Sequence, residues 1–118
     1  MIPADLLARL QEADPGLWEK IAETALSEYE YHDEEFNAWI SNAITYTDLF
    51  GPAQEAWLQH CLQAAIRTRV GWGYQITAFG LPIIACVYNR RDYITARGES
   101  EAEALGWAYL AVIEAIRP

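Results

Sequence analysis

Five of the chain's eight basic residues fall between positions 67 and 97: Arg67, Arg69, Arg90, Arg91 and Arg97. Aromatic residues are interleaved with them, namely Trp72, Tyr74, Phe79, Tyr88 and Tyr93. Guanidinium groups hold phosphates through paired N–H donors, and aromatic faces stack on bases. Together these residue types suit recognition of a small phosphorylated nucleotide. A structural reading competes with it. In that reading the aromatics are core, and the arginines pair with acidic helices near the N-terminus.

Catalytic chemistry has less behind it. The chain contains no GxSxG, HExxH, CxxC or phosphate-loop motif. The run Tyr31-His32-Asp33-Glu34-Glu35 has metal-ligand residue types. Consecutive residues on a helix point in different directions, however, so the run reads as a solvated helix junction. His60 stands beside Cys61, but Gln59, Gln63 and Ala64 give it no ligand or catalytic partner at helical spacing. The expectation is a non-enzymatic binding protein with no metal and no cofactor.

The elements that must position the arginines follow from pattern and punctuation. Three strands fit 71–97. The first is about Gly71 to Phe79, broken by Gly80, Leu81 and Pro82; the second is Ile83 to Tyr88; the third is Asp92 to Arg97, ended by Gly98. Turns this short join antiparallel neighbours, so the strands form a meander. Side-chain alternation puts Trp72, Tyr74, Ile76 and Ala78 on one face and Gly73, Gln75, Thr77 and Phe79 on the other. The Arg90-Arg91 turn then lies at the end of the sheet where the first strand begins, and Arg67 and Arg69 lead into that end.

Helices surround this stretch. Pro3 suits the start of a first helix lined by Leu6, Leu7 and Leu10. Asp14-Pro15 reads as an N-cap followed by proline at the first helical position, with a second helix running to about Tyr31. Asp33 can cap a third, to about Ala43. A fourth, ending near Arg67, starts with Thr47 or Asp48 as cap, or with Gly51 as cap and Pro52 as its first residue. Ser100 and Glu103 make a capping box for the last helix. That helix is apolar on two sides, through Leu105, Tyr109 and Val112 on one and Trp107 and Ala111 on the other. Such a helix is buried twice, between the sheet and either the N-terminal helices or a second subunit. A homodimer is the expectation drawn from it.

Length and composition set the frame. The 118 residues make one domain, with a helical part at 1–45 and an α-β-β-β-α core at 46–118. The fold class expected is α+β, a three-stranded antiparallel sheet with helices on both faces. Apolar residues are 53% of the chain, which argues against disorder. No stretch reaches the roughly 18 apolar residues of a membrane span, and Asp5 and Arg9 interrupt any signal-peptide pattern. Cys61 and Cys86 sit in apolar surroundings and read as buried thiols of a reducing cytoplasm. The net charge is −9. Ten of the acids lie in residues 1–35, whereas 67–97 sets five arginines against Asp92 alone. Screening over about 8 Å lets such a local cluster act independently of the acidic remainder.

The helix, three strands, helix order from about 48 to 117 comes with Tyr46-Thr47-Asp48, Ala56-Trp57, Gly71-Trp72, Ala85-Cys86-Val87 and an alanine-rich last helix. Together these resemble small bacteriophage proteins of the phage ABA-sandwich family. The resemblance implies a helix–sheet–helix sandwich and a phage or prophage origin, and carries no assigned activity. The same order resembles the double-stranded-RNA-binding domain. There lysines open the last helix and grip phosphates; here Glu99-Ser100-Glu101-Ala102-Glu103 puts three acids in that place, which removes RNA binding by that route.

The leading expectation is thus a phage protein that binds a cyclic or ADP-ribose-type nucleotide and sequesters a host immune signal. Its ligand-binding residues would be Arg67, Arg69, Trp72, Tyr74, Arg90, Arg91, Tyr93 and Arg97. The alternative is an acidic inhibitor of a host defence nuclease, of anti-restriction or anti-CRISPR type, acting through the acid-rich first 35 residues.

Overall fold

A computed structural model describes residues 2–17, 19 and 52–116. The third expected helix, the turn at 46–51 and the Tyr31–Glu35 run lie outside those residues. So does the second helix beyond its opening at 15–17. The described elements are α1 (Ala4–Ala13), α2 (Pro52–Arg67), β1 (Gly73–Thr77), β2 (Ile83–Tyr88), β3 (Tyr93–Gly98) and α3 (Glu101–Ile116). The fold is α+β, with an open antiparallel sheet in the order β1-β2-β3.

Register fixes the two faces. Tyr74 pairs with Val87 and Val87 with Ile94; Ile76 pairs with Ala85 and Ala85 with Ala96. These side chains face the core, where Ala85 and Val87 are fully buried. The other face carries Gly73, Tyr88 and Tyr93 in one row, Gln75, Cys86 and Thr95 in the next, then Thr77, Ile84 and Arg97. Thr77, Ile84, Tyr93, Thr95 and Arg97 on it are exposed. β1 is two residues shorter at each end than its apolar pattern suggests. Gly71 and Trp72 belong to the turn from α2, whose Trp72 N–H donates to the Arg69 carbonyl at 3.1 Å.

Gly98 is the last residue of β3 and pairs with Ile83. The sequence reading placed it just outside the strand. A glycine is needed there because a Cβ would lie 2.6 Å from the Ala104 backbone nitrogen. The close approach lets α3 fold back directly onto the sheet. The Ser100 cap forms as expected, accepting from the Glu103 N–H at 3.2 Å. The Glu103 carboxylate returns to the Glu99 N–H rather than to Ser100.

Helices flank the sheet. α3 lies across β2 and β3, α2 meets β1, and α1 packs on α3 from behind. This explains the two apolar sides of α3: Leu105, Tyr109 and Val112 are fully buried, and so are Ala104 and Ala108. At Gly106 a Cβ would stand 3.1 Å from a Leu6 methyl, so α1 and α3 approach closely there. Leu6, Leu7, Leu10, Leu58, Leu62 and Ile66 complete the core. Burying a side chain of this size is worth about 1.5–3 kcal/mol. Cys61 and Cys86 are buried thiols outside any disulfide. Among the described residues, no helix is long and apolar enough to cross a membrane.

Candidate functional site

The turn between α2 and β1 gathers two of the arginines. The Arg67 guanidinium lies 5.4 Å from the Tyr74 ring centre and donates to the Tyr74 hydroxyl. Arg69 lies 4.8 Å from the Trp72 ring centre. Both cations sit on aromatic faces, which attract them and hold them in place. Gly71 has φ +83°, and a Cβ there would be 3.3 Å from Arg90 Nε. Only glycine takes that conformation without strain, and its missing side chain gives Arg90 room to lie over the turn.

The β2–β3 turn presents the other pair. The Asn89 side-chain oxygen accepts from the Arg91 N–H at 2.8 Å and the Asp92 N–H at 2.7 Å. The Asn89 N–H donates to the Asp92 carbonyl at 2.9 Å. An asparagine-closed turn of this kind leaves Arg90 and Arg91 exposed at its tip.

Arg67, Arg69, Trp72, Tyr74 and Arg90 therefore meet at one end of the sheet, and Arg91 adjoins them. Tyr93 belongs to the same end but to the other face, stacked on Tyr88 with ring centres 6.2 Å apart. Contact with the Cys86 thiol pushes the Tyr93 hydroxyl above its ordinary pKa. Arg97 is not part of the group. It pairs with Ile84, four positions along β3 from Tyr93, or about 13 Å at the usual rise of a strand. Among the described residues, Arg67, Arg90 and Arg91 have no carboxylate partner. Among the described residues, the acidic-pairing reading holds for Arg69, whose guanidinium is 3.7 Å from Asp14.

Asp14 and Tyr109 are components that the sequence did not single out as a site. Asp14 acts as the expected cap, with Oδ1 accepting from the Leu17 N–H at 3.1 Å. Its Oδ2 accepts from the Tyr109 hydroxyl. That hydroxyl in turn accepts from Arg69 at 3.4 Å. Burial pushes the Tyr109 hydroxyl far above the ordinary tyrosine range, and the hydrogen bond to Asp14 adds to the shift. The available signal was a tyrosine on an otherwise apolar helix face, since a buried phenol needs a polar partner.

This trio forms one wall of a cavity of about 290 Å3. Gly16, Leu17, Cys61, Ala64, Ala65 and Thr68 line the rest. Arg69 belongs both to the cavity and to the arginine platform, and Trp72 packs edge-on against Tyr109 with ring centres 6.3 Å apart. His60 is exposed on α2. Among the described residues, no group of three or more His, Cys, Asp or Glu could hold a metal ion.

Comparison with family models, curated proteins and solved structures returns no match.

Proposed function

We propose that this protein is a non-enzymatic binder of a small phosphorylated nucleotide, taken up at the arginine end of the sheet. The observation that carries this reading is the grouping of Arg67, Arg69 and Arg90 beside Trp72 and Tyr74. Cations already seated on rings lose little freedom when a phosphate arrives. Arg90 and Arg91 project from a turn fixed by Asn89 and supply the exposed charge. In a bacteriophage, a protein of this kind would remove a host signalling nucleotide by sequestration.

The test is the double substitution Arg90→Glu and Arg91→Glu. Both residues are exposed, so the fold should survive with a change within about 0.5 kcal/mol per site. Titration calorimetry with cyclic nucleotides and with inorganic pyrophosphate should show binding to the native chain and none to the variant. Equal affinity in a folded variant would remove the reading.

A further inference from the structure

The cavity beside Asp14 shares only Arg69 with the residues from which nucleotide binding was read, and its chemistry is specific. We infer that it is a nucleobase pocket selective for a guanine-type edge, with the phosphates of the same ligand left outside on the arginine platform. This inference rests on the proposed nucleotide binding for the phosphate half only.

Size and lining come first. A volume of about 290 Å3 is at the lower end for ligand sites, which run from about 300 Å3 upward, and suits one fused ring system rather than a whole dinucleotide. Leu17, Cys61, Ala64 and Ala65 supply mainly apolar walls. Such walls fit the faces of a flat heteroaromatic ring and leave its polar edge to be met at one place.

That place is Asp14. A carboxylate is an acceptor only, and each of its oxygens has two lone-pair positions. In Asp14, Oδ1 uses one for the Leu17 N–H and Oδ2 uses one for the Tyr109 hydroxyl. The Arg69 guanidinium, at 3.7 Å, is too distant for a hydrogen bond. By this count one acceptor position remains on each of the two neighbouring oxygens. The complement is a ring edge with two adjacent N–H donors. Guanine has that edge, in its ring N1–H and exocyclic amino group. Adenine presents a bare ring nitrogen beside its amino group, and uracil presents carbonyls flanking a single N–H. Both would leave one Asp14 oxygen facing an acceptor. Arg69 reaches from this wall to the Trp72 face, so a ligand seated here has its phosphates on the side of Arg67 and Arg90.

The probe that separates the two halves is guanosine, which carries no phosphate, used alongside pyrophosphate, which carries no base. Two-dimensional amide NMR of the full chain should show guanosine shifting Ala64, Ala65, Thr68 and Tyr109, and adenosine and uridine leaving them in place. Ala64→Phe should weaken guanosine binding at least about tenfold and leave pyrophosphate binding unchanged. Thr68 is exposed at the rim, so Thr68→Trp is a second blocking variant should the first fail to fold. Guanosine that moves none of these amides at millimolar concentration overturns the pocket, whatever pyrophosphate does. Equal binding of all three nucleosides overturns its selectivity for guanine. Guanosine binding without pyrophosphate binding upholds the pocket and removes the arginine platform instead.

Discussion

Removing one oxygen atom, in Tyr109→Phe, tests the network that joins α1, α2 and α3. The side chain is fully buried, and phenylalanine keeps its volume, so no cavity appears. What is lost is the donation to Asp14 and the acceptance from Arg69 at 3.4 Å. A hydrogen bond to a charged group contributes about 1.5–3 kcal/mol. Asp14 keeps 17% of its side chain exposed, so water replaces part of the bond, and the expected loss is about 1.5–2 kcal/mol. A domain of this size loses about 4 °C per kcal/mol, so the melting temperature should fall by about 6–8 °C.

The pH dependence supplies a second, independent reading of the same substitution. Tyr109 has its pKa raised in the folded chain, while the unfolded phenol ionises near 10. Above that pH the unfolded chain has lost the proton and the folded chain has kept it. Stability then declines as pH rises, by up to about 1.4 kcal/mol per pH unit. Below about pH 10 both states hold the proton and the contribution is constant. Urea melts from pH 8 to 11.5 should show the native chain losing stability faster than Tyr109→Phe above pH 10. Parallel curves, together with a native-like melting temperature for the variant, would refute the network.

Three further outcomes follow from geometry. Gly98→Ala drives a Cβ against the Ala104 backbone, where nothing flexible can yield; it should cost about 1–3 kcal/mol, read as a lower urea midpoint at unchanged slope. Ser100→Ala removes the acceptor for the Glu103 N–H at the start of α3 and should cost about 1 kcal/mol by the same melts. Arg9 and Glu114 form a two-pronged pair at 2.8 and 2.9 Å, but their side chains are 49% and 40% exposed. Glu114→Gln should therefore cost less than about 1 kcal/mol, and 1 M salt should erase the difference; a larger, salt-insensitive loss would contradict that.

Short-range information determined much of this fold. The strand pattern at 71–97, with Gly80-Leu81-Pro82 and Asn89 as punctuation, specified an antiparallel meander, and the β2 boundaries were legible to the residue. Ser100 and Glu103 marked the start of α3, and its two apolar sides required two layers of neighbours. The fourth helix ends at Arg67, where its pattern placed the end. Each of these signals is contained within a few turns of chain, where periodicity and capping act. The site was only half legible. Arg67, Arg69 and Arg90 could be placed at one end of the sheet because short connections brought them there. Arg97 has the same chemistry but lies at the far end, since the strand rise separates it from Tyr93. Asp14 and Tyr109 are separated by 95 positions, and their meeting depends on how α1 crosses α3. That crossing follows from side-chain packing at Leu6, Leu10 and Gly106. Local propensity carries no record of such packing, because contacts between distant segments exist only once the helices have docked.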